Sequence, residues 1–508
     1  MINKSRYSLK QQFLYLLFYL FKPDTRPPIK LFLVNFVIAT AVVIGLYFAE
    51  DLYFFKEKKD FVLDWVMYWN SDFVPTLSNQ NKMQRMELFE IDNNAFQEWG
   101  SPVITPRDKL KALIEQADKG GAHVIAVDLE LSWWSDGCIH VPGKTPSCSP
   151  SDSRADEALA KYLETFNQRE DDKAPILILT RVHQYPLKDD GQLNDQTFRV
   201  KPPSFLDEAL KVEKNVFWSS TFFEVDSDRV RRRWQLASLV CEDDHLTVVP
   251  SMQLLVALAQ LYATDNTTRE AANVIRAFKT RLNDWAKTLP CDATQGATIP
   301  RLCQQQECPN LTIALPKKSG VSDQSHVVDL AGGRETERVV YRFAPADSPK
   351  HSQRSLIDKE NALDVLAAGA DVDSQIVFIG ATHYASGDQH PVPIRYKEVD
   401  GVYVVMNAVD TLLRFGQFKS QDWLGKLIIS ICVIVVATFI FSYYGIVRAV
   451  LFSSVLVGLG LFFWSGQALH HGIGVDLALP MLTIQIVQII RYTIEYSLLY
   501  LKREETGE

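Results

Sequence analysis

At 508 residues and a net charge of −8, the chain has length enough for roughly two to four domains. It has no basic stripe interleaved with aromatic residues, which argues against nucleic acid as a partner. Its 47% hydrophobic content is crowded into one segment near the start and three near the end, which excludes an ordinary soluble enzyme and reads as a membrane protein.

Residues 1–30 hold Lys4, Arg6, Lys10, Lys22, Arg26 and Lys30 against the single acid Asp24, so the positive-inside rule places them in the cytoplasm. Within them QQFLYLLFYLF (11–21) is too short to cross a bilayer and reads as an interfacial helix or as a packing segment. LFLVNFVIATAVVIGLYFA (31–49) is nineteen residues without a charge, enough to span. No small-residue cleavage site follows it, so an uncleaved anchor is expected.

Residues 50–423 are expected outside the inner leaflet. DFVLDWVMYW is apolar at helical spacing, MELFEID is strand-like, and PRDKLKALIEQADKGG is an amphipathic helix with a glycine stop. AHVIAVDLEL then reads as a buried strand, completing a βαβ unit, and ADEALAKYLETF with APILILT repeats the pattern. NVFWSSTFFEVDSDRVRRRWQLASLV predicts strands around a turn at Ser227 and Asp228, and PSMQLLVALAQLYA a helix. Residues 265–338 read as an insertion decorating the sheet. SLIDKENALDVLAAGA (a helix), QIVFIG (a strand) and DGVYVVMNAVDTLLRFG (a helix leading to the membrane) close the domain. The expected fold is an α/β periplasmic domain with a largely parallel mixed sheet, plus four transmembrane helices.

Six of the seven cysteines lie in this loop, as expected of an oxidising compartment. The simplest connectivity pairs Cys138 with Cys148, Cys303 with Cys308, and Cys241 with Cys291; the alternative, zinc, lacks any C-x-x-C spacing. The seventh, Cys432, is expected to pack within a span. The remaining spans are expected at about 427–444, 449–469 and 473–490 extending to 501, with 502–508 a cytoplasmic tail. In the last of them Gln485, Gln488, Arg491 and Glu495 recur at helical spacing, which predicts an interface within the helix set or between the protomers of a homodimer.

Several stretches, taken in order, resemble the second type of CHASE domain, the cyclase/histidine-kinase-associated sensory extracellular domain of bacterial receptors. They are Asp64 after the first span, EID at 90–92, Pro106 with Arg107, GAHVIAVDLEL at 121–131, VDSDRVRRR at 225–233, IVFIGAT at 376–382, Asp388 with Pro391 or Pro393, and VDGVYVVMNAVDTLL. Departures are the turn at Ser227 to Arg229, where such domains usually have glycine, and Val405, where they often have histidine. Only YLKREETGE follows the last expected span, whereas such sensors usually carry a cyclase or kinase domain there. The resemblance implies a receptor with an unknown periplasmic ligand and a separate effector contacted through the last helix. A non-signalling envelope scaffold is the rival.

His383, Asp388 and His390 follow the strand QIVFIG, where open α/β sheets bind ligands. A metal site, a pocket and a hydrogen-bonded loop are the three readings, and the spacing does not demand a metal. Asp92 and Asp128 end strands expected to be neighbours, and Arg107 begins the helix between them, so a carboxylate–guanidinium pair is expected at that edge. Arg229, Arg231 and Arg233 would share one face of a strand, towards an anion or towards solvent. No nucleophile stands in a recognisable setting with a base, so no enzyme, cofactor or resident metal is expected.

Overall fold

The computed structural model describes residues 28–49, 53–70, 86–135, 150–183, 198–242, 245–265, 267–289, 291, 299, 311–315, 326–331, 336–341, 357–370, 372, 376–393, 398–420, 423–444, 446–469, 472–475, 485–487, 489–490 and 493. The chain divides into two compact units, residues 1–70 with 419–508, and residues 71–418.

In the first unit the described residues form α1 (Pro28–Ala49) and α2 (Tyr53–Asn70), and α10 (Trp423–Tyr443) and α11 (Ile446–Leu469) follow the second unit. Two helices among the described residues are long and apolar enough to cross a membrane, Leu424–Tyr443 and Leu451–Leu469. That is two of the four spans expected. The apolar stretch that can be measured in α1 runs only from Asn35 to Leu46, and most of the last expected span lies outside the described residues. Ala39 of α1 packs with Ile434 of α10 and with Val487. Thr40 and Ser442 return their hydroxyls to the carbonyls of Phe36 and Thr438, as hydroxyls in apolar helices do. Gln485 is exposed and Val487 buried, while Gln488, Arg491 and Glu495 lie outside the described residues. Cys432 is exposed on α10 instead of packed.

The second unit is built on six strands in the order β12 (Ile357–Asn361), β1 (Met86–Ile91), β13 (Ile376–Ala381), β2 (Val124–Asp128), β3 (Ile176–Thr180), β5 (Val216–Ser219). All five pairings are parallel, so the main sheet is not mixed. The antiparallel pairs stand apart from it, among them β6 (Phe223–Glu224) with β7 (Arg233–Trp234), and β8 (Ala237–Glu242) with β9 (His245–Pro250).

Both faces of the sheet are covered, which is why its central strands read as continuous apolar runs. Leu88, Ala126, Ile178 and Phe378 point into one core with α6 (Met252–Asp265), α7 (Thr268–Ala286) and α9 (Gly401–Phe415). Phe89, Val127, Leu179 and Ile379 point into the other, with α4 (Arg107–Lys119), α5 (Pro150–Asn167) and α8 (Ala362–Ala368). Helix α7 comes from the stretch read as decoration, yet Ala271, Ile275, Phe278 and Leu282 bury its apolar stripe in the first core. A capping box between Thr267 and Glu270 starts it.

Two sequence readings need correction. The stretch read as one helix, SLIDKENALDVLAAGA, is strand β12 followed by α8. IDKEN holds a single apolar residue because it forms the sheet's edge, exposed at Asp358 and Lys359, and Asn361 then caps α8 by accepting from Leu363 N–H. Strands β1 and β2 are not neighbours either: β13, more than two hundred residues later in the chain, lies between them. The Cys241–Cys291 disulfide is present, with Cα atoms 5.7 Å apart; Cys138, Cys148, Cys303 and Cys308 lie outside the described residues.

Candidate functional site

Parallel strands end on one side, and here that side gathers acids. Glu90 on β1, Asp128 on β2 and the loop after β13 meet at the centre of the sheet. The strand order runs outward from there in both directions, towards β3 and β5 on one side and towards β12 on the other.

Helix α9 crosses this edge closely. A Cβ on Gly380 of β13 would stand 2.7 Å from Val402, so the absence of a side chain there lets α9 lie on the strand. A Cβ on Gly401, the first residue of α9, would stand 2.0 Å from Asp388 Oδ2. The Asp388 carboxylate therefore sits against the first turn of the helix, where N–H groups and the helix dipole favour negative charge. Gly401 N–H donates to Asp388 O at 2.8 Å, and His390 Nε2 lies 2.7 Å from Asp388 Oδ1.

Arg231 approaches from the loop before β7. Its N–H donates to Pro391 O at 2.8 Å and its carbonyl accepts from Tyr341 Oη at 2.7 Å. Burial lowers the Arg231 pKa, and the charge of Asp388 opposes that shift. Glu90 is buried, accepts from Thr382 Oγ1 at 2.7 Å and pairs with Lys359 Nζ at 2.7 Å.

Two carboxyls in this group are pushed upward. Asp128 keeps only part of its surface accessible; burial first, and the negative charge of Asp388 second, push it up to about 8, against a hydrogen bond from Thr180. Asp400, just before α9, is raised by burial and by Glu90 and Asp388, against a hydrogen bond from Gln389. Its Oδ1 is inaccessible and unbonded, and its side chain does not cap the helix. The edge is thus a chain of four carboxyl groups, Glu90, Asp400, Asp388 and Asp128, with Lys359, Arg231 and the His390 ring beside it. Such an array can hold or release protons.

The other expected site residues are dispersed. Asp92 caps α3 (Asn93–Glu98), accepting from Ala95 N–H at 2.9 Å. Arg107 is 1% exposed, with Nη2 donating to Trp133 O at 2.6 Å, Nε 3.5 Å from Asp156 Oδ1, and the guanidinium over the Phe205 ring. With β13 between β1 and β2, no Asp92–Arg107–Asp128 pairing forms. His383 is buried, stacked on Phe96 at 4.1 Å, and its pKa is lowered by burial, so it does not join Asp388 and His390. Among the described residues no group of His, Cys, Asp or Glu is placed to hold a metal ion.

The arginine run does not alternate on a strand. Arg229 sits in the turn at φ +66°, the left-handed region, where the resemblance led us to expect a glycine. Arg232 and Arg233 both reach Asp226, at 3.0 and 2.8 Å. Asp400 and Glu90 were missed as members of the site, although the Asp-Gly pair at a helix start and a glutamate at a strand end were visible in the sequence.

The sequence profile of the CHASE2 domain matches residues 38–445. The chain belongs to the CHASE2 family. No curated protein and no solved structure was found to match it. CHASE2 domains are extracellular sensory domains of signalling proteins, not catalytic ones. Of the residues the resemblance singled out, Asp388 lies at the centre of the acidic edge, and Val405 is buried in α9.

Proposed function

We propose that this CHASE2 protein is a bacterial inner-membrane receptor of four spans, with residues 71–418 in the periplasm and both ends of the chain in the cytoplasm. The signal is read at the acidic edge and passed through the membrane helices to an effector. One observation carries the reading: the carboxylate of Asp388 rests on the first residue of α9, and α9 is followed in the chain within eight residues by the apolar helix α10. A ligand or proton that changes the charge at Asp388 or Asp128 changes the electrostatic seat of α9. A helix whose seat depends on charge in this way is the kind of element through which a sensor shifts its population. The two apolar helices and the basic first thirty residues support the topology.

The test compares the full chain with Asp388→Asn in native membranes, using crosslinkers placed in α10 and α11 and mass spectrometry of what is captured. A cyclase, kinase, phosphatase or related signalling protein is expected, in a yield that differs between the two forms at equal abundance. An envelope complex captured equally by both forms, without a cytoplasmic partner, would refute the receptor reading and favour a scaffold.

A further inference from the structure

A cavity of about 10 Å³ lies between α1 and α10 in the first unit, with Val487 on a third side. Its walls are mostly apolar, among them Ala39, Ile434, Ala437 and Phe441, and the two alanines are small enough to leave the space. Two polar side chains break that lining, Asn35 of α1 and Thr438 of α10. They are 4 and 2% exposed.

Polar side chains on apolar helices ordinarily satisfy themselves on the preceding turn of their own backbone. Thr40 of α1 and Ser442 of α10 do so, and in the second unit Asn407 donates to Tyr403 O at 2.7 Å. Asn35 and Thr438 differ. Asn35 Nδ2 and Thr438 Oγ1 are inaccessible, and neither has a hydrogen-bond partner among the described residues. A buried amide and a buried hydroxyl without partners are costly in such surroundings, so both groups call for an occupant that can donate and accept. Size narrows the choice: a water needs about 10–15 Å³ and at least two polar partners. This cavity has room for one water and is too small for an acyl chain or another organic molecule.

We propose that a single water molecule is bound in this cavity, bridging the Asn35 carboxamide to the Thr438 hydroxyl and so tying α1 to α10. Asn35 lies seven residues after the start of α1 at Pro28, and Thr438 five before the end of α10 at Tyr443. The bridge joins the helix that precedes the sensory domain in the chain to the helix that follows it. Helix α10 cannot slide along α1 without exchanging these hydrogen bonds. The water site stands on the geometry of the first unit and does not depend on the receptor reading.

The experiment is X-ray radiolytic labelling of the full chain in phosphatidylcholine–phosphatidylglycerol vesicles, in oxygen-18 water, read by mass spectrometry. Hydroxyl radicals formed from a bound water oxidise the side chain beside it. Phe441, 1% exposed, is the readout at the cavity, and Tyr384, 68% exposed, is the solvent reference. Phe441 is expected to take up oxygen in the parent. Its labelling, relative to Tyr384, should fall about fivefold or more in Asn35→Leu and in Thr438→Val, since each leaves the cavity with one polar group, too few to hold water. Thr438→Ser restores the hydroxyl and should label like the parent. An unlabelled Phe441 in the parent overturns the proposal without any variant, and equal labelling of Phe441 in parent and Thr438→Val overturns it as well. Either result leaves the receptor reading to its own crosslinking test.

Discussion

Asp128→Asn isolates the central carboxyl of the acidic edge. Native Asp128 is lifted from 3.8 to about 8, which sets a ceiling of roughly 6 kcal/mol on the cost of ionising it in the folded state, at ~1.4 kcal/mol per pH unit. Its partial exposure screens the charge, and this reduces the figure to on the order of 2–3 kcal/mol. The folded pKa is raised, so Asp128 favours the native state fully below pH 4. That contribution fades as pH climbs towards 8, because the folded chain must hold a proton that the unfolded chain has released. Asparagine keeps the shape and can still accept from Thr180, but it has no proton to lose. The two proteins should therefore unfold at nearly equal urea concentration at pH 4, with the variant gaining about 2–3 kcal/mol by pH 8. Denaturation in detergent, followed by tryptophan fluorescence at four pH values, measures the difference directly. A difference that stays flat across this range, or a variant weaker than the parent at pH 8, would refute the account of Asp128.

Other substitutions probe the surrounding fold. Gly401→Ala drives a methyl to 2.0 Å from Asp388 Oδ2 and should cost about 1–3 kcal/mol as overpacking, read by thermal unfolding. Asp156→Ala removes the carboxylate 3.5 Å from Nε of the 1%-exposed Arg107; a loss of about 3–5 kcal/mol, read by urea denaturation, is expected from breaking a buried ion pair. Removing the Cys241–Cys291 bridge opens a loop of 50 residues, worth about 4 kcal/mol by loop entropy and measurable as a shift in the urea midpoint. Arg229→Gly relieves a side chain held at φ +66° and should stabilise by up to ~1 kcal/mol, whereas a loss would mean that the arginine side chain contributes there.

Much of the second unit was legible because parallel strands covered on both faces leave an unmistakable mark. MELFEI, VIAVD, ILILT and IVFIGA are dense apolar runs separated by amphipathic helices, and each is a strand of the main sheet. Strand β12 was not legible, because an edge strand buries little and IDKEN resembles a helix start. Nor could the sequence reveal that β13 lies between β1 and β2, since sheet order depends on pairings far apart in the chain. That one insertion undid the expected Asp92–Arg107–Asp128 arrangement and created the Asp128–Asp388 neighbourhood instead. The arginine run misled for a local reason: a turn at Arg229 breaks the alternation that a strand would impose.

The place of β13 also dictates when this domain can be finished. Before residue 381 has been delivered, β1 and β2 have no partner between them, and each presents a bare row of amide and carbonyl groups to anything nearby. Pairings of such long sequence separation form slowly, because a large stretch of chain must be organised first. A nascent chain arrested anywhere before that strand is therefore an open-edged intermediate, sticky towards its own kind.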